Sequence, residues 1–129
     1  MECTKGRGRL MGSFAEKSAS ANAYRGELLG LMAVHLILLS ANKLETRLEG
    51  AVKIYSDCLG ALHRVAELPP CRIPSRCRHS DVLKNILVNC GCLTFTRTYL
   101  HVDAHQDKEK DWEAMTRQAQ LNTICDAGA

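Results

Sequence analysis

The chain has 129 residues, enough for one domain with its own core. Apolar residues make up 46% and charged residues 24%, which places it with ordinary globular chains rather than fibrous or disordered ones. A net charge of +3 permits a phosphate-bearing partner without demanding one.

The seven cysteines are odd in number, irregularly spaced and preceded by no secretory signal. Reduced thiols in an intracellular protein are therefore expected, rather than a disulfide scaffold. The longest apolar stretch, Leu28 to Leu39, is interrupted by Gly30 and His35. It falls short of the roughly 20 residues a membrane span needs, so a buried helix and no membrane are expected.

In chain order, Met1–Thr4 and Leu10–Phe14 flank a Gly6-Arg7-Gly8 turn and suggest a hairpin. Lys17–Asn22 is a small polar loop in which Ser20 or Asn22 is placed to cap a helix. From Ala23 to about Lys43, Leu28, Met32, Leu36 and Leu39 recur at helical spacing, with Leu29, Leu31 and Ile37 widening the stripe. Glu27 and Gly30 stand one place off that stripe. Ala51–Asp57 alternates Val52, Ile54 and Ser56 against Lys53 and Tyr55, and is a strand that stops at Asp57. Leu59, Leu62, Val65 and Ala66 make a short helix ended by Pro69-Pro70. A basic loop, Cys71–His79, precedes a second short helix through Val82, Leu83, Ile86, Leu87 and Val88, with Ser80 or Asp81 as its cap. Leu93–Val102 is the clearest strand. Asp103–Trp112 is a charged loop, and Arg117–Ala129 is a final helix. Trp112 is expected to pack down against that loop, and Cys58 and Cys125 to be small core residues. No repeat, low-complexity tract or second domain interrupts residues 1–129.

Three acids stand out by position. Glu27 lies in the first turns of a long helix, Asp57 ends a strand, and Asp126 lies in the last helix. The carboxyl ends of strands form the functional edge of an open α/β sheet, and Asp57 belongs there by construction. Clustered carboxylates repel unless a cation compensates them, and Mg²⁺ prefers such hard oxygen ligands. The alternative is that all three are solvated surface charges.

These residues resemble a known family. Tyr24-Arg25-Gly26-Glu27-Leu28 is similar to the start of the first helix in ribonuclease H-like domains. Ile54-Tyr55-Ser56-Asp57-Cys58 resembles that family's fourth strand. Asn122 to Asp126 resembles its last helix, and His105 matches a histidine in the loop after its last strand. The likeness spans about Leu10 to Ala129 and is nearest to the ribonuclease H segments found beside reverse transcriptases of mobile elements. It implies an α/β fold: a mixed sheet flanked by helices, with the first strand and its aspartate missing here. It further implies hydrolysis of the RNA strand of RNA–DNA hybrids with two Mg²⁺ ions, Mn²⁺ being an acceptable substitute. Glu27, Asp57 and Asp126 would hold the metals, and His105 would assist proton transfer or product release. Arg25, Arg72, Arg76, Arg78 and Asn122 form the expected nucleic-acid contacts, and an upstream reverse transcriptase domain is an expected partner. Lacking the bridging aspartate, the chain is expected to cut poorly on its own.

Two other readings stay open. One is a degenerate domain that grips a hybrid or a polymerase without cutting. The other is a zinc-binding regulatory domain using Cys71, Cys77 and His79, whose spacing departs from the usual paired ligands.

Overall fold

The computed structural model describes residues 12–13, 21–44, 50–67 and 73–127. Most of the expected hairpin, Pro69-Pro70, Cys71 and Arg72 lie outside the described residues. Within them the protein is mixed α/β, with four α-helices and a small parallel sheet of two strands. The order is α1 (Ala23–Leu44), β1 (Ala51–Ser56), α2 (Leu59–Glu67), α3 (Ser80–Gly91), β2 (Thr96–His101) and α4 (Arg117–Ala127). Short 3₁₀ turns at Gln106–Lys108 and Trp112–Ala114 precede α4. By their contacts the described residues divide into two compact units, one within Ser18–His101 and one that includes the described residues from Val102 onward.

In the first unit, α1 begins where Asn22 Oδ1 accepts the Arg25 backbone N–H at 2.9 Å. This satisfies one of the donors that a helix start leaves without an intrahelical partner, so Asn22 is the cap of the two foreseen. The face that α1 buries differs from the expected stripe. Leu28, Leu31, His35 and Leu38 point into the core, while Leu36 is 44% exposed. Apolar residues surround so much of this helix that spacing leaves the choice of face open. The choice follows the demands of His35, which is fully buried. Its Nδ1 lies 2.7 Å from the Leu31 carbonyl, and its Nε2 lies 2.7 Å from the Tyr99 hydroxyl on β2. That hydroxyl is also 3.3 Å from Cys90 Sγ on α3. A neutral ring satisfies all of this, with Nδ1–H donating to Leu31 and Nε2 accepting from Tyr99.

By length and composition α1 also qualifies as a membrane span, and it is the one such helix among the described residues. The twelve-residue apolar stretch thus understates it. In this structure, though, one face of α1 is spent on packing with α3 and α2.

β1 alternates as expected, Ile54 and Ser56 buried against exposed Lys53 and Tyr55. It pairs in parallel with β2, from Ala51 opposite Thr96 to Ser56 opposite His101. Parallel neighbours need a long crossover, and α2 and α3 supply it. Ala61, Leu62 and Val65 of α2, with Leu83 and Ile86 of α3, close the core over Ile54. Ala66 and Val88, foreseen in apolar stripes, are exposed. Leu93–Phe95 precede β2 instead of extending it. The cap of α3 also differs. His79 holds that place in a left-handed conformation, φ 61°, with no side-chain cap bond, while Ser80 and Asp81 are already helical.

In the second unit, Val102, Met115 and Ala119 form a small core beneath α4. Thr116 starts α4, its Oγ1 accepting from the Ala119 N–H at 3.3 Å. Trp112 is 42% exposed and anchors through its backbone, its carbonyl accepting from Gln120 Nε2 at 2.8 Å. Cys125 is exposed too, contrary to expectation, at the end of α4, where residues 125–127 are all exposed.

The His35 network predicts a stability change. Tyr99→Phe removes the hydroxyl that serves both His35 Nε2 and Cys90, leaving a buried acceptor without its partner. Urea denaturation at pH 8 should show a loss of about 1–3 kcal/mol. Burial holds the His35 pKa below its ordinary 6.5. The unfolded chain therefore binds the proton first as pH falls, so wild-type stability should decline from pH 6.5 downward.

Candidate functional site

The carboxyl end of β1 gathers the groups of interest in the first unit. Ser56 is buried, the last residue of β1, and its Oγ accepts the Cys58 backbone N–H at 3.1 Å. This side chain–backbone turn wraps Asp57 around the strand end. The same Oγ stands 3.5 Å from Oε2 of Glu27 and donates to it. The first turns of α1 and the end of β1 therefore meet, and Glu27 shares that end of the strand with Asp57. On the other side, His101 Nε2 donates to the Asp57 carbonyl at 3.1 Å. α2 starts directly after, with Ala61 and Leu62 N–H groups bonding to the Cys58 carbonyl. Asp57 is thus held at the N-terminal approach of a helix, where a negative charge is favoured.

Asp126 and His105 belong to the second unit, where the structure brings them together. His105 Nδ1 is 4.0 Å from Asp126 Oδ2, and both side chains are well exposed. His105 adopts φ 54°, a left-handed conformation that is uncommon outside glycine. It thereby caps the Gln106–Lys108 turn and sets its ring beside α4.

The expected nucleic-acid residues divide. Arg76 and Arg78 are exposed on the turn before α3, and Asn122 is half-buried on α4. Arg25, also in the expected set, is largely buried and ion-paired. Its side chain is 10% exposed, and both terminal nitrogens bind Asp81, Nη1 to Oδ1 at 3.0 Å and Nη2 to Oδ2 at 2.8 Å. This two-pronged pair is the strong geometry for arginine and carboxylate. Nη1 also approaches His79 Nδ1 at 3.4 Å, and the His79 ring stacks at a tilt on Tyr24. His79, the zinc candidate, is therefore buried with one ring nitrogen turned to a guanidinium.

The donor chemistry suits a hard cation in part. Mg²⁺ is commonly held by one or two carboxylates while it keeps several waters, and Glu27 with Asp57 offer such a pair. Among the described residues no group of three or more His, Cys, Asp or Glu side chains is arranged to hold a metal ion. Ser56 and His101 were not foreseen from sequence as parts of this site. Ser56 carried a signal, as an inward-facing hydroxyl beside the acid at a strand end.

Comparison with models of known protein families, with curated proteins and with solved structures found no match to this chain.

The Arg25 pair gives a pH-dependent expectation. Hydrogen bonding from Arg25 lowers the Asp81 pKa from 3.8 to about 2. Its contribution is complete above pH 3.8 and lost as pH falls through about 2. In Arg25→Ala, carbon-detected NMR titration should find the Asp81 midpoint back in the ordinary carboxylate range. Because the Asp81 side chain is 63% exposed, solvent screening holds the neutral-pH stability loss from the ion pair to about 1 kcal/mol.

Proposed function

We propose that the chain is a ribonuclease H-like nucleic-acid domain, acting in Mg²⁺-dependent hydrolysis of the RNA strand of an RNA–DNA hybrid. One observation carries the reading: Ser56 joins the Glu27 carboxylate to the strand end that bears Asp57. The mixed α/β fold, with a parallel pair linked through helices, supports it as the kind of sheet whose carboxyl edge hosts chemistry. In this reading Glu27 and Asp57 hold the ion. When bound, the ion neutralises charge on the phosphodiester and activates a water. Arg72, Arg76, Arg78 and Asn122 contact the nucleic acid in this reading. Asp126 orients His105, whose ring moves a proton or eases product release. Mn²⁺ serves in place of Mg²⁺, and a reverse transcriptase domain is the proposed neighbouring partner.

The test uses a labelled RNA–DNA hybrid in millimolar Mg²⁺. Slow, metal-dependent cleavage confined to the RNA strand is expected, reduced by at least about 10–100-fold in Glu27→Gln and in Asp57→Asn. Tight binding of the hybrid with no cleavage in any metal would replace this reading with that of a non-cutting binding module. Failure to bind hybrid at low ionic strength would remove both.

Binding itself should be salt-dependent. The logarithm of affinity should fall against the logarithm of salt with a slope near 0.9 per phosphate contact. Replacing both Arg76 and Arg78 by Ala should flatten that slope by nearly two. An unchanged slope in the double variant would take these two residues out of the interface.

A further inference from the structure

We propose that Ser56 is a positioning residue that sets the two acids of the site relative to each other. The inference deepens the functional reading above and rests on it. The Ser56 hydroxyl makes two contacts that divide its chemistry cleanly. Its oxygen accepts the Cys58 N–H at 3.1 Å, which fixes the turn around Asp57. Its proton is left to donate, and the acceptor in reach is Glu27 Oε2 at 3.5 Å. One small side chain thus ties the backbone that carries one carboxylate to the side chain of the other.

Burial makes the arrangement effective. Ser56 faces the core side of β1 beside Ile54, so its hydroxyl sits in a fixed surrounding rather than in open water. An inward-facing hydroxyl at a strand end keeps its place only if it is hydrogen-bonded, because an unpaired buried hydroxyl is costly. The backbone next to it is independently fixed. Ser56 pairs opposite His101 in the sheet, and the His101 ring donates to the Asp57 carbonyl at 3.1 Å. Removing the Ser56 hydroxyl therefore leaves the strand and the Asp57 carbonyl anchored, while Glu27 loses its contact with the strand end. Sites that bind cations depend on such supporting hydrogen bonds to orient their ligands.

The experiment compares wild type, Ser56→Ala and Ser56→Thr, the last of which restores a hydroxyl. Three measurements are made on the whole chain. Amide exchange of Cys58 in metal-free protein reports the turn and should quicken several-fold in the Ala variant. Side-chain couplings of Glu27, also metal-free, should show one dominant rotamer in wild type, averaging in Ser56→Ala, and recovery in Ser56→Thr. Mn²⁺ affinity, followed by electron paramagnetic resonance, should fall about 10–100-fold in Ser56→Ala and return in Ser56→Thr. A change at Cys58 alone, with Glu27 rotamers unaltered in Ser56→Ala, would overturn the proposal and leave Ser56 as a turn residue. So would equal Mn²⁺ affinity in wild type and Ser56→Ala. Absence of Mn²⁺ binding in wild type would instead overturn the metal reading of Glu27 and Asp57, and the rotamer measurement would then decide the role of Ser56 by itself.

Discussion

A histidine with no access to water has to satisfy two ring nitrogens inside the protein, and in the unit Ser18–His101 this requirement is met from three elements. His35 belongs to α1, its hydroxyl partner Tyr99 to β2, and the thiol behind that hydroxyl, Cys90, to α3. The rings of His35 and Tyr99 also stack, with centroids 5.8 Å apart. Apolar packing tolerates small rotations of a helix, since one leucine replaces another against the core with little change in buried area. Directional hydrogen bonds do not. The rotation of α1 about its axis is thereby fixed, and with it the direction in which Glu27 leaves the helix two turns earlier. Tyr99 is held protonated, its pKa raised by burial first and by Cys90 next, which keeps the donor that His35 needs.

From that fixed rotation the site follows through local geometry. Asn22 starts α1 and Arg25 locks its first turn to α3, so Glu27 begins from a rigid platform. β1 ends where Ser56 turns the chain, and Asp57 comes next. The residues with proposed chemistry are thus supplied by element ends, while Arg25 and Ser56, which help to fix those ends, are buried. His105 and Asp126 follow the same logic within their own unit, a strained turn residue beside a helix.

Much of the element order was legible in the sequence, because it rests on periodicity and on short-range rules. The start of α1 at Ala23, the alternation in β1, the two crossover helices and the position of β2 all came from spacing and cap residues. Much of what failed depended on a partner distant in the chain. The apolar circumference of α1 offers several equivalent faces, and only His35 meeting Tyr99 selects one. The pairing of Arg25 with Asp81 was not visible because that acid is far away in sequence. The α3 cap failed for a different reason: His79 takes a left-handed conformation that residue preferences assign to glycine or asparagine. At the site, the acids were visible as acids at element ends, but the hydroxyl and imidazole that hold them were not. Serine and histidine are common enough that their role emerges only from contact.

The Arg25–Asp81 pair has a consequence for local charge balance. Both residues lie in the first turn of a helix, where the positive macrodipole end favours a negative charge and disfavours a positive one. Asp81 is the counter-ion of the guanidinium and suits its own helix start. The two partners are therefore unequal. Without Arg25, Asp81 still sits well at a helix start, whereas without Asp81 a largely buried cation is left at a helix end of its own sign. The pair resembles an arch, in which the exposed carboxylate is the keystone and the buried arginine a side stone.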